Sequence, residues 1–203
     1  MKSHLTQGAS TMSIKNVSSL MESICYVCTK QADENALKLA LSDICSIPLA
    51  FMQQIQLTDL PTVDKSHLLK AVSMIAGALR ALQELSEAVL EDTLLPMIQS
   101  VWEKLMGLLC TRAPDNDLIA TTCNLINRSI GLLAKNVIGP EFFDSLSVNL
   151  ITCFKSNPQN LCCLQTFALL CLKVGKSSEE MKQRAMMQFN VVCEMVLQRV
   201  EQA

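Results

Sequence analysis

Residues 68–82 read LLKAVSMIAGALRAL, and their apolar side chains recur in steps of four, three, four and three at Leu68, Val72, Ile75, Leu79 and Leu82. This spacing puts all five on one face of an α-helix. Similar stripes occur within residues 94–108, 118–137 and 181–200, and no stretch shows sustained strand alternation. The sequence therefore predicts an all-α fold.

Composition supports this class and excludes several functions. Of 203 residues, 50% are hydrophobic but only 4% are aromatic, with six Gly and six Pro, whereas a β-fold of this length needs more turn, aromatic and β-branched residues. A net charge of -2 and a pI near 5.7 argue against direct nucleic-acid binding. The unbroken apolar runs fall far short of the roughly 18 residues of a spanning helix, so no membrane contact is expected.

Helix-breaking and capping residues divide the chain into about eight helices. Asp33, either Thr62 or Asp64, the pair Gly139-Pro140, and Ser177 with Glu180 are placed to begin helices, while Pro48 either kinks or divides one. Short turns favour antiparallel neighbours. The predicted helix pairs are 35–83, 87–136 and 140–174, with single helices at 14–31 and 178–202. Residues 1–13 are predicted to be disordered, ahead of one helical-repeat region at 14–203.

Two architectures fit such a chain, a closed bundle and an α-α superhelix of the HEAT or armadillo type. The pair lengths loosely bracket the roughly 40 to 47 residues of those repeats. The last helix carries a core-facing stripe, with Phe189 among its members, and further apolar residues at Met187, Val191 and Met195. Because a terminal repeat normally presents a polar outer face, we expect a segment of a longer superhelix.

Motifs for catalysis or cofactor binding are missing from the sequence. It has no phosphate-binding glycine loop, nucleophile elbow or HExxH zinc motif, and only two histidines. The single C-x-x-C, Cys25 to Cys28, lacks the second pair or nearby histidines of a zinc site. Adjacent Cys162 and Cys163 are predicted to place one thiol in the core and one at a packing edge. We therefore predict a protein that is not an enzyme and has no cofactor.

Charge is unevenly distributed along the chain. Residues 84–117 carry seven acids against two bases. A ridge for basic ligands would use Glu84, Glu87, Glu91 and Asp92. Solvated helix ends explain the same run more simply.

Three stretches together resemble a known family. They are residues 68–79; Leu95-Pro96-Met97-Ile98 through Trp102; and Ala113-Pro114-Asp115-Asn116-Asp117, which opens a helix predicted to end near Gly139. In helix order and turns, residues 60–175 resemble the middle to C-terminal HEAT repeats of the karyopherin-β (importin-β) superfamily, in its transportin-SR and importin-thirteen branch.

The resemblance implies a nuclear transport receptor that shuttles between cytoplasm and nucleus and binds protein cargo on its concave face. Helices 64–83, 117–136 and 159–174 would line that face. The Ran GTPase would be bound chiefly by N-terminal repeats outside this segment. A HEAT or armadillo scaffold segment of another large assembly is the alternative, and a closed bundle with a ligand pocket among Met and Cys side chains is a third possibility.

One departure from the family concerns its arginine-rich helix for phosphorylated Arg-Ser domains. The matching face here reads Asp117, Thr121, Asn124, Asn127, Arg128 and Gly131, with one arginine. A phosphate would lose most of its bidentate donors. We therefore expect other cargo, contacted by Thr121, Asn124, Asn127 and Arg128.

Overall fold

The computed structural model describes residues 12–30, 33–82, 95–133 and 139–201, and in these ranges the chain is all-α. Eight helices are described: α1 (Ile14–Cys28), α2 (Glu34–Gln54), α3 (Lys65–Leu82), α4 (Leu95–Thr111), α5 (Asn116–Leu133), α6 (Pro140–Ser156), α7 (Leu161–Val174) and α8 (Glu179–Glu201). A short 3-10 turn, Leu57–Asp59, lies between α2 and α3. The predicted fold class is confirmed.

The helices form two layers. In the odd layer, α1 packs on α3, α3 on α5 and α5 on α7; in the even layer, α2 packs on α4, α4 on α6 and α6 on α8. Sequence neighbours such as α2 and α3 or α6 and α7 join the layers. Among the described helices α1 and α8 do not pack together, so the arrangement is an open α-α superhelix rather than a closed bundle.

Helix α3 is the most deeply buried part of this array. Every residue from Ala71 to Leu79 is buried, as are the five members of the stripe that predicted the helix. Small side chains at Ala71, Ala76, Gly77 and Ala78 let neighbouring helices approach on several sides. Because full burial leaves few side chains for solvent, α3 acts as the central packing element.

Most of the helix starts predicted from capping residues are confirmed by the structure. Asp33 Oδ1 accepts from the N–H of Asn35 at 3.0 Å, and Asp64 Oδ2 accepts from that of His67 at 3.3 Å. Pro140 stands in the first turn of α6. Pro48 lies inside α2, which continues through it to Gln54. Each cap satisfies an N–H that has no partner within its own helix.

One predicted cap is wrong. Ser178, not Ser177, begins α8, because its Oγ accepts from the N–H of Met181 at 3.2 Å. The hydroxyl of Ser177 instead donates to the carbonyl of Val174 at 2.7 Å, closing the end of α7. The serine pair thus serves two helices. The capping-box pattern fits only Ser177 with Glu180, and it therefore indicated the wrong serine.

Polar side chains connect the turns within successive helix pairs along one edge. Arg112, at the turn between α4 and α5, donates through Nη1 to the carbonyls of Leu60, Pro61 and Val63 in the preceding turn. From the following turn, the amides of Asn157 and Asn160 donate to the carbonyl of Ala113 at 2.9 and 2.8 Å. This ladder fixes the position of each helix pair against the next.

Helix α8 is more exposed than its sequence pattern predicted. Met181, Ala185 and Val192 are buried, but Phe189, placed on the core stripe, is 48% exposed. Met187 is 69% exposed and Val191 is also exposed, as expected for residues without a neighbour. Met195 packs partly against the core. Phe189 was predicted wrongly because α8 has one packed side, against α6 and α7, that is too narrow to cover the whole stripe.

Helix α2 is long and apolar enough to cross a membrane, with a mean hydropathy of 1.3, although its sequence was expected to provide no such span. Its inward side chains enter the common core; these are Leu37, Leu41, Cys45, Leu49 and Met52. Core helices of packed proteins pass the same length and hydropathy test. Helix α2 is therefore a packed helix of the array.

Candidate functional site

A row of polar side chains crosses three consecutive helices of the odd layer. Arg80 of α3 donates from Nη1 to Glu22 Oε2 of α1 at 2.7 Å. On α5, Arg128 Nε donates to Asn124 Oδ1 at 3.1 Å. We name Glu22, Arg80, Asn124 and Arg128 the polar row. It brings together residues up to about a hundred positions apart on one side of the array.

Electrostatics connect the two halves of the row. Partial burial, followed by the positive charge of Arg80, lowers the pKa of Arg128, whereas Glu22 opposes this effect. Among the described residues, two guanidinium groups and one carboxylate therefore lie close together, and Glu22 is paired with Arg80. Like charges held close together raise the free energy of the free protein. An added carboxylate from a ligand would relieve this repulsion.

The four residues predicted to face cargo have different environments. Asn124 is exposed and Arg128 is partly buried, and both belong to the polar row. The hydroxyl of Thr121 donates to the carbonyl of Asp117 in its own helix at 2.7 Å. Asn127 is half-buried, and its Oδ1 has no hydrogen-bond partner among the described residues. Asn124 and Arg128 are thus the two members best placed for an external ligand.

Helix α3 lines the odd layer less than the resemblance implied. Only Ser66, His67 and Arg80 of this helix are exposed, because its other faces are packed. Helices α5 and α7 present broader surfaces, with Leu161, Gln165, Ala168 and Leu172 exposed along one side of α7. The accessible surface of the odd layer is therefore formed mainly by α1, α5 and α7, with Arg80 as the contribution of α3 to the polar row.

The proposed acidic ridge cannot be located in this array. Glu84, Glu87, Glu91 and Asp92 all lie outside the described residues. The ridge therefore stays a prediction from the sequence.

A second group of reactive side chains lies inside the array. The sulfur atoms of Cys123 on α5 and of Cys162 and Cys163 on α7 are all within 4.8 Å of one another. Cys123 and Cys163 are buried with their sulfurs 3.8 Å apart, while Cys162 is half-buried. Cys153 of α6 adjoins Cys163, and their thiols interact. We name these four residues the thiol cluster.

Most of this cluster was not predicted from the sequence. The prediction of one core thiol and one edge thiol is confirmed, with Cys163 buried and Cys162 half-buried. Cys123 and Cys153 carry no spacing signal, since they join the pair only through the packing of α5, α6 and α7. The C-x-x-C pair behaves differently: the buried thiol of Cys25 interacts with that of Cys45 on α2, which lowers the pKa of Cys25.

Comparison of the chain with protein-family models, with curated proteins and with solved structures finds no match. The resemblance to the karyopherin-β superfamily in helix order and turns therefore stays a prediction from the sequence. The polar row and the thiol cluster are the two candidate sites that the superhelix positions.

Proposed function

We propose that this chain is a protein-binding segment of an α-α superhelix and that its ligand binds across the exposed surface of the odd layer. The polar row is the observation that carries the proposal. The row places charged and amide groups side by side on α1, α3 and α5. Such a line of polar groups suits an extended or helical protein segment as the ligand. Arg80 and Arg128 supply donors for acidic or carbonyl groups, and Asn124 supplies both a donor and an acceptor.

Layer packing supports the odd layer as the inner, concave side. Each contact between odd-layer neighbours is more extensive than any contact between even-layer neighbours. An array whose helices approach more closely in one layer curves toward that layer. Superhelices of this kind use their concave surface for binding. A ligand on this side would contact several helices at once and would gain affinity from each.

The more specific proposal is that the chain is part of a nuclear transport receptor that binds protein cargo and shuttles between cytoplasm and nucleus. It is supported by the helix order and turns of residues 60–175 and by the superhelical fold, with Ran acting through other parts of the parent chain. The alternative is a scaffold segment of another large assembly. In that case the same surface would hold a constant structural partner.

Charge reversal on the row tests the binding surface. The chain is immobilised, and proteins retained from a cell extract are quantified for the parent, for Arg128→Glu and for Lys155→Glu. Lys155 is exposed on α6 of the even layer and provides the matched control. We expect a defined set of proteins to fall at least tenfold with Arg128→Glu alone. Equal retention by both folded variants would contradict the proposed surface.

Ran separates the two versions of the proposal. Partners of the intact receptor, identified by their dependence on Arg128, are measured with and without GTP-locked Ran. If the chain belongs to a transport receptor, GTP-locked Ran should change the binding of these partners to the intact receptor. Partner binding that is indifferent to Ran would refute the transport version and favour a scaffold.

A further inference from the structure

The thiol cluster has the composition and spacing of a metal site. A zinc–thiolate bond is about 2.3 Å long, so two sulfurs on one tetrahedral zinc lie about 3.8 Å apart. Cys123 and Cys163 sulfurs already have a 3.8 Å separation. Cys162 lies within 4.8 Å of both. Small rotations of side chains, without movement of the helices, would bring three sulfurs around one ion.

Neighbouring polar groups suit thiolates rather than thiols. The buried hydroxyl of Thr166 has no ordinary hydrogen-bond partner among the described residues, yet it faces Cys123. A thiolate at Cys123 would accept a hydrogen bond from this hydroxyl. The amide of Asn160 points Nδ2 at the sulfur of Cys153 at 3.6 Å. Hydrogen bonds of this kind orient metal ligands and stabilise their charge.

The start of helix α7 also stabilises negative charge on the cysteine sulfurs. Cys162 and Cys163 lie in its first turn, where unpaired N–H groups and the helix dipole stabilise negative charge. A disulfide between these neighbours is unfavourable, because adjacent Cα atoms are about 3.8 Å apart and disulfides prefer a wider spacing. Cys162 and Cys163 are therefore better suited to binding one metal ion together than to forming a disulfide with each other.

We propose that Cys123, Cys162 and Cys163, with Cys153 as the fourth ligand, bind one Zn²⁺ ion that joins α5, α6 and α7. Each coordinating thiol loses its proton to solvent, and neither metal nor sulfur changes oxidation state. The half-buried Cys162 lies at the side from which the ion enters. This site is separate from the polar row, so its test does not depend on protein binding.

Cobalt is the probe, because tetrahedral cobalt thiolates absorb visible light strongly whereas zinc is silent. The reduced, chelator-treated full chain is titrated with Co²⁺, which is then displaced by Zn²⁺. We expect one equivalent to bind with tetrahedral thiolate bands and to raise the melting temperature. Cys162→Ser, at a half-buried position that tolerates change, should weaken binding at least tenfold. Cys110→Ser, at an exposed thiol, should not.

Three results would overturn the proposal. The first is the absence of cobalt–thiolate bands from the folded chain. The second is retention of the bands in Cys162→Ser with loss in Cys28→Ser, which would move the ion to the C-x-x-C pair. The third is a Cys123–Cys163 disulfide, found by mass spectrometry of protein purified without reductant and holding no zinc.

Discussion

Gly77 of α3 lies directly against the main-chain carbonyl of Ser18 in α1. A Cβ atom at this position would collide with that backbone oxygen. Because backbone cannot rotate aside as a side chain can, the glycine sets how closely α1 and α3 approach. This contact is part of the close packing that distinguishes the odd layer from the even layer.

Replacing Gly77 with alanine should therefore destabilise the protein. The gain in helix propensity is about 1 kcal/mol, but overpacking against backbone costs about 1–3 kcal/mol. Gly131→Ala is the control, since a Cβ at Gly131 of α5 meets nothing within 4 Å. We expect urea unfolding to show a loss for Gly77→Ala and no loss for Gly131→Ala. Equal stabilisation of both variants would show that α1 and α3 are not in close contact.

Arg112 should be the most important single side chain of the turn ladder. Its side chain is only 11% exposed and its Nε donates to Asp115 at 2.6 Å, besides the three carbonyls of the preceding turn. Since hydrogen bonds of a charged group contribute about 1.5–3 kcal/mol, Arg112→Met should lower the unfolding free energy by about 2–3 kcal/mol.

Arg199→Met provides the comparison for Arg112. Among the described residues, Arg199 donates one exposed hydrogen bond, to the carbonyl of Lys155 at 3.0 Å, and its guanidinium lies 5.4 Å from the ring centroid of Phe154. Because this bond is exposed to water, its loss together with the ring contact should cost only about 1 kcal/mol in the same chemical denaturation. If the two variants were equally stable, the ladder would not hold the repeats together.

The polar row predicts an unequal response to charge removal. Glu22→Gln removes the carboxylate that, among the described residues, separates the like charges of Arg80 and Arg128, whereas Arg80→Gln removes one of those charges. The pair is a surface one, with side chains 31% and 43% exposed, so the loss for Glu22→Gln should be at most about 1 kcal/mol. Unfolding measured at low and high salt should show this loss shrinking with salt. A larger loss for Arg80→Gln would contradict the proposed repulsion.

Thiol reactivity should separate Cys162 from Cys110. Hydrogen bonds from Cys123 and Cys163 lower the pKa of Cys162, whereas burial raises the pKa of Cys110. The thiolate is the reactive form and predominates above the pKa. As the pH falls from about 8 to about 6, alkylation of Cys110 should slow with loss of thiolate, while that of Cys162 should change little.

Mass spectrometry of the alkylated, metal-free chain measures both sites in one sample. Added Zn²⁺ should protect Cys162 and leave Cys110 unchanged. Parallel slowing of the two cysteines as the pH falls would show that the thiol cluster does not favour a thiolate at Cys162.

Periodicity and capping residues predicted the fold because they are local. The stripe from Leu68 to Leu82 and the cap at Asp33 each involve a few consecutive turns, and both are confirmed. Phe189 was misplaced because burial depends on how much of α8 its neighbours cover, which the stripe does not encode.

The candidate sites were less predictable because they join distant residues. Asn124 and Arg128 were named from one helix face, but their neighbours Glu22 and Arg80 are 58 positions apart from each other. Cys123 and Cys163 are 40 positions apart. No spacing rule connects such pairs before the helices are packed. A local signal was Arg80 itself, the one charged residue in the largely apolar stretch 71–82.

Site-specific photo-crosslinking from the two layers tests the central claim most directly. A photo-reactive amino acid is placed at Asn124 in the polar row or at Val148, which is exposed on α6 of the even layer, and proteins captured on illumination are identified. We predict that position 124 crosslinks to a partner that is lost on adding Arg128→Glu, and that position 148 does not. Equal or preferential crosslinking of that partner from position 148 would contradict the odd layer as the binding surface.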